Sequence, residues 1–129
     1  MRVAISFWEN GIAPVMDASS RFLILEIARR QVMSEHETRL DGSDSCGIFL
    51  QRLGVSVLIC GAVSVEYEKA IRRSAITVIP FVTGTTKAVI AAFCAGSLES
   101  GRFDMPGFRR ARRKSSSLCS PTQTRRRDA

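Results

Sequence analysis

One nearly apolar run between two glycines limits what this chain can fold into. It lies within Leu53-Gly54-Val55-Ser56-Val57-Leu58-Ile59-Cys60-Gly61-Ala62-Val63-Ser64. A strand over Val55–Cys60 has no solvated face, so it belongs in a sheet covered on both sides, as in the parallel part of an α/β fold. Ser64 can cap a following helix. Cys60 and Gly61 then fall where the strand gives way to that helix. Open α/β sheets take ligands at the carboxyl ends of their strands.

The remaining segments build a sheet around that run. Arg2–Trp8 alternates Val3, Ile5 and Phe7 against Arg2, Ala4 and Ser6, which reads as a first strand. Glu9-Asn10-Gly11 is a turn signal, and Ile12–Ser20, with Pro14, Asp17, Ser19 and Ser20, is a loop. Arg21–Ala28 is a second strand, with Leu23, Leu25 and Ile27 on one face and Phe22 and Ile24 on the other. A turn at Arg29-Arg30-Gln31 leads to a Glu-rich third strand, Val32–Thr38, whose charges suit a sheet edge. The polar loop Asp41–Ser45 caps a helix over Cys46–Leu53, with Phe49 and Leu53 four apart and Gly54 as its stop. After the apolar strand, Ser64 starts a second helix with Tyr67, Ala70 and Ile71 as its buried stripe. A fifth strand spans Ala75–Val82, with Pro80 at its end. Thr83-Gly84-Thr85-Thr86 then turns into a third helix, Lys87–Ala95, ended by Gly96. The order β-β-β-α-β-α-β-α predicts an α/β fold: a five-stranded mixed sheet in the order 3-2-1-4-5, with three helices and right-handed crossovers.

Charge separates the chain into two parts. Residues 1–101 carry ten basic and ten acidic side chains, whereas the stretch from Arg102 on carries nine Lys/Arg and two Asp. The basic character is a property of the C-terminal stretch, which argues against a nucleic-acid-binding body. Arg109–Lys114 and Arg125–Arg127 cannot bury enough apolar surface to fold. Residues 1–103 therefore read as one domain and 104–129 as a basic disordered tail. By charge alone the tail suits nucleic acid, an acidic protein or an anionic surface; it lacks the interleaved aromatics of base stacking. A solvated extension is the competing reading.

Other classes find little support. No apolar run approaches the ~20 residues of a membrane span, and Met1–Trp8 is too short for a signal-peptide core, so the chain reads as cytoplasmic. Its four cysteines, Cys46, Cys60, Cys94 and Cys119, contain no C-x-x-C pair, and His36 is the single histidine, which excludes zinc sites of ordinary spacing. Cys94 reads as a core residue and Cys119 lies in the tail. The first strand has no carboxylate for a two-metal nuclease cage, and no nucleophile–base pair is evident. The chain reads as a non-enzyme.

The segments together resemble the dinitrogenase iron–molybdenum cofactor biosynthesis family, which includes NifX and the C-terminal domain of NifB. The resemblance rests on Arg2-Val3-Ala4-Ile5 with Glu9-Asn10-Gly11; Ile12-Ala13-Pro14-Val15-Met16-Asp17; Arg21-Phe22-Leu23-Ile24; the run Leu53–Ser64; Ile76–Pro80 with Thr83-Gly84; Ala92-Phe93 with Ala95–Leu98; and Arg102–Gly107. It implies a ribonuclease-H-like fold, and it implies non-enzymatic binding or carriage of an iron–sulfur or iron–molybdenum cofactor or its precursor, with cofactor-assembly or electron-transfer proteins as partners. The chain departs from the family pattern twice. The loop Pro14–Phe22 has no His, and Phe108 follows Met105-Pro106-Gly107 where a Cys occurs in other members.

Soft sulfur ligands suit such clusters. Cys46 and Cys60 are the candidate metal ligands near strand ends, and Met16 and Asp17 join them as candidate cofactor-binding residues. A helix N-terminus lowers a thiol pKa, which makes Cys46 the expected reactive thiol. Each has an ordinary alternative: core packing for Cys60 and Met16, loop formation for Asp17. His36 reads as solvated on an edge strand.

Overall fold

A computed structural model of the chain describes residues 1–40, 45–98 and 102–106. Among them, six strands form one mixed sheet: β1 (Arg2–Trp8), β2 (Gly11–Ile12), β3 (Arg21–Ala28), β4 (Gln31–Arg39), β5 (Val57–Ile59) and β6 (Thr77–Ile79). The hydrogen-bonded path is β4-β3-β1-β5-β6, and the two-residue β2 pairs back on β1. β3 is antiparallel to β1 and to β4; β1, β5 and β6 run parallel. The five longer strands thus follow the neighbour order expected from the sequence, and β2 is an addition. Three helices complete the fold: α1 (Cys46–Arg52), α2 (Val65–Arg72) and α3 (Thr86–Ala95).

The two faces of the sheet bury separate cores, as strand alternation requires. Val3, Ile5, Leu23, Leu25, Ile59 and Ile79 pack against Val89 and Ala92 of α3. Ala4, Phe22, Ile24, Leu58 and Val78 pack against Leu50 of α1 and Ile71 of α2. Each helix starts on a hydroxyl cap: Ser45 accepts from the Ile48 N–H, Ser64 from Tyr67 and Thr85 from Ala88. Gly96 ends α3 in the left-handed conformation at φ 78°.

Several boundaries differ from expectation. β5 and β6 are three residues each, because the apolar runs continue past the ladder into loops that remain buried: Val55, Cys60, Ile76 and Val82 are all core residues. The buried row of α1 is Cys46, Gly47 and Leu50, with Phe49 and Leu53 only partly buried; Gly47 faces inward because it approaches Ser74 and the Ala70 carbonyl. Ala70 is exposed, so α2 buries Ile71 and half of Tyr67. The packed body also passes the boundary expected at residue 103. Asp104 bridges to Val82, the Thr83 N–H donates to the Phe103 carbonyl and Met105 donates to Phe81. The tail expected over 104–129 lies outside the described residues from 107 on, as do residues 41–44 of the expected capping loop Asp41–Ser45, of which Ser45 caps α1.

The carboxyl edge of the sheet is closed by the segment after β2. Val15 pairs in parallel with Ala62, the Met16 N–H donates to the Ala62 carbonyl at 2.7 Å, and Ala62 donates to Pro14 at 2.9 Å. This approach needs Gly61: a Cβ there would stand 2.4 Å from the Ala13 carbonyl oxygen and 2.6 Å from that of Pro14. Both obstacles are backbone, held in hydrogen bonds, so neither can rotate away. Gly61→Ala is expected to destabilise the protein by about 2–3 kcal/mol or more in urea unfolding. Gly54→Ala, which meets only the Arg2 side chain but carries a positive φ of 76°, should cost about 1 kcal/mol.

Candidate functional site

The sequence-derived candidates gather on one side of the sheet, at its carboxyl edge. Met16 begins a single 3-10 turn, Met16–Ala18, and its side chain is fully buried. It shares one apolar cluster with Cys46 and Cys60, and Tyr67 packs against them. β1 and β5 run parallel and end together, which brings the Met16 loop to Cys60; α1 starts at the same edge, which brings in Cys46.

Their chemistry differs from the expectation. Cys46 is 5% exposed, and burial pushes its thiol up to about 11, the opposite of the lowering expected at a helix N-terminus. A hydrogen bond with Tyr67 acts in the opposite direction and is the smaller effect. The Tyr67 hydroxyl is itself held well above its ordinary pKa, first by burial and then by the neighbouring Cys46. Cys60 is fully buried. A protonated thiol is a poor metal ligand, and no three His, Cys, Asp or Glu side chains form a metal-holding group among the described residues. As they stand, Cys46 and Cys60 are both packed in the core.

Asp17 has a defined task. Its carboxylate accepts the Ser64 N–H at 3.0 Å and the Ser64 hydroxyl at 2.7 Å, while the Ser64 Oγ accepts the Tyr67 N–H at 3.2 Å. One anionic side chain thereby ties the loop to the positive end of α2. These bonds, the hydroxyl's foremost, hold its carboxyl below the usual carboxylate range. Ser6 pins the far end of the loop: it is the one buried polar side chain among the described residues, and its hydroxyl donates to Ser19 at 2.7 Å.

A groove of about 500 Å³ opens over this loop, between Trp8, Pro14, Val15, Ser19, Ser20, Arg21 and Arg39. Trp8 is 58% and Val15 49% exposed. The Arg21 guanidinium lies over the Trp8 ring, 5.9 Å from its centroid. Arg21 and Arg39 are direct cross-strand partners in the β3–β4 ladder. Like charges so placed repel, and neither is in an ion pair with a described residue. Glu37 and Thr38 lie beside them in an adjoining hollow. The groove presents two cations, an aromatic face and two serines, a set that suits an anion with an apolar surface.

Sequence reasoning missed Trp8, Arg21, Arg39 and Ser6. The facing arginines are set by an irregularity in the β3–β4 register at Glu26/Ile27. Ala28 pairs with Gln31 and Ile27 with Val32, but Glu26 pairs with Ser34, leaving Met33 as the extra residue. A ladder without that bulge would set Arg21 opposite Thr38.

The chain matches no protein-family model and no curated protein. It is similar to solved structures. The crystal structure of PH0822 has a TM-score of 0.69 at 20% identity, over 74% of this chain and 90% of that chain. A crystal structure of a "putative dinitrogenase" from Methanocaldococcus jannaschii has a TM-score of 0.64 at 26% identity, over 75% of this chain and 90% of that one. A solution structure of the protein so named has a TM-score of 0.63 at 24% identity, over 84% and 95%.

Two pH effects follow. The Cys46 contribution is complete below the unfolded thiol value near 9 and is lost as pH rises towards 11. Melting temperature should fall across that window, and less in Cys46→Ala measured against its own value at pH 8. Asp17 acts in the opposite direction: its contribution is present above the ordinary carboxylate range and lost as pH drops through its lowered value. Asp17→Ala should cost about 1 kcal/mol at pH 7, by urea unfolding, and the gap to the parent should close in acid.

Proposed function

We propose that this protein is a non-enzymatic carrier of an anionic iron–sulfur or iron–molybdenum-type cluster, or of its precursor, held as cargo in the groove beside Trp8. The observation that carries the reading is the facing Arg21–Arg39 pair, whose repulsion an anion would relieve. The similarity to a protein that bears a dinitrogenase name supports a cofactor-related role, as does the resemblance of the sequence segments, and the ribonuclease-H-like label for the fold goes with that resemblance.

On this reading the guanidiniums of Arg21 and Arg39 supply charge-assisted hydrogen bonds, and the Ser20 hydroxyl one further donor. Trp8 and Val15 cover the apolar flank of the cargo. Asp17, Ser64, Ser6 and Ser19 hold the loop beneath it in shape. Met16, Cys46 and Cys60 underlie the loop as core and make no bond to the cargo. Contacts of charge rather than thiolate bonds suit a carrier, which must release what it binds to an assembly or electron-transfer partner.

A preassembled dianionic four-iron, four-sulfur cluster with thiolate caps serves as the probe, mixed anaerobically with the protein and passed through a gel-filtration column. Visible absorption should co-elute with the protein and decline with added salt. Arg21→Gln with Arg39→Gln should weaken retention about tenfold or more, while Cys46→Ala and Cys60→Ala variants that remain folded by circular dichroism should retain it. The reading fails if no absorption co-elutes, or if retention depends on the cysteines and ignores the arginines.

A further inference from the structure

A second cavity lies at the opposite end of the sheet, under the β3–β4 hairpin turn. It has a volume of about 280 Å³ and is lined by Ile27, Phe93, Cys94, Met1 and Gly96, together with Arg29 and Arg30. Its floor is almost wholly apolar: Ile27 belongs to the core, and Phe93 and Cys94 pack half-buried against the same cluster. Apart from Arg29 and Arg30, polar groups of its lining are engaged. The Met1 ammonium donates to Glu26 at 3.1 Å and to the Ile27 carbonyl at 3.1 Å, and the Phe93 carbonyl accepts from Gly96.

Two features of the turn bear on this cavity. Arg29 and Arg30 both adopt left-handed backbone, with φ 52° and 64°. Asn or Gly takes such turn positions at less cost, so Arg is strained at both. Neither arginine is in an ion pair with a described residue; the nearby carboxylate, Glu26, is taken by Met1 and Arg2. Two adjacent cations, unpaired among the described residues and lining an apolar hollow, are complementary to a molecule with a carboxylate head and a hydrocarbon body.

We propose that this cavity is a binding site for a small apolar monocarboxylate of about ten non-hydrogen atoms, an aliphatic or aryl-alkyl acid. The hydrocarbon lies against Ile27, Phe93 and Cys94, and the carboxylate meets the guanidiniums of Arg29 and Arg30. The site is separate from the Trp8 groove and stands independently of the carrier reading.

Octanoate is the probe, with octylamine as the control of equal length and opposite charge, titrated into the isotope-labelled full chain and followed by amide chemical shifts. Octanoate should give saturable shifts at Ile27, Arg29, Arg30 and residues 93–96, with a dissociation constant of about 1 mM or tighter, and leave Trp8 and Ser20 unmoved. Octylamine should give none. Arg29→Gly with Arg30→Gly should weaken octanoate at least tenfold while raising the melting temperature, because glycine relieves the left-handed backbone; that rise excludes unfolding as the cause. Arg29→Gln with Arg30→Gln should weaken it equally. The proposal is overturned if 10 mM octanoate gives no saturable shift, if octylamine binds as well, if the shifts centre on Trp8, or if the glycine variant binds octanoate unchanged.

Discussion

The missing Cβ of Gly61 is the constraint on which the carboxyl edge of this fold depends. Because nothing projects there, the backbone of Ala13–Met16 can lie against Gly61-Ala62, just past β5, at hydrogen-bonding distance. That contact turns a connection between two strands into a short parallel extension of the sheet. It buries Met16, sets Asp17 within reach of Ser64 and holds the floor of the Trp8 groove. The same edge carries further backbone strain, since Phe81 sits at φ 61° while donating to the Gly61 carbonyl. A bulky residue in left-handed backbone persists only where its surroundings over-determine it. Here bonds to Gly61 on one side and Met105 on the other do so.

At the carboxyl edge of the sheet, sulfur and the arginines are kept apart. Met16, Cys46 and Cys60 lie inside, with the Cys46 thiol neutral. The arginines of the groove lie outside. A helix N-terminus contributes about 0.3–1 kcal/mol towards a thiolate. Raising a thiol from 9.0 to about 11 corresponds to roughly 3 kcal/mol against it. Desolvation therefore wins at Cys46, and polar recognition is left to side chains that remain hydrated.

Much of the fold was legible because strand alternation is a strong signal. The faces of Arg21–Ala28 and the edge character of the Glu-rich β4 were both readable, as was Gly96 at the end of α3. The apolar runs at Val55–Cys60 and Ala75–Val82 misled at their ends, because burial in a loop looks the same as burial in a ladder. The site was harder. Cys46, Cys60, Met16 and Asp17 do converge, and parallel β1 and β5 explain why. What the sequence hid was depth: residue type and helix position carry no measure of how much protein lies above a thiol. It also hid the Arg21–Arg39 pairing, since one bulged residue, Met33, shifts every partner beyond it and leaves no local sign of doing so.

The link between Asp17 and Ser64 spans 47 residues, and the Ala62 contacts that support it are nearly as distant in sequence. A nascent chain has completed β1, β3 and β4 long before those partners leave the ribosome. Until then the loop over Met16 has nothing to rest on, and the groove has its arginines but no floor. The groove is thereby timed by synthesis: a truncated or half-made chain carries the cations but cannot set them in the finished shape. The fold withholds this surface until the second half of the domain has certified the first.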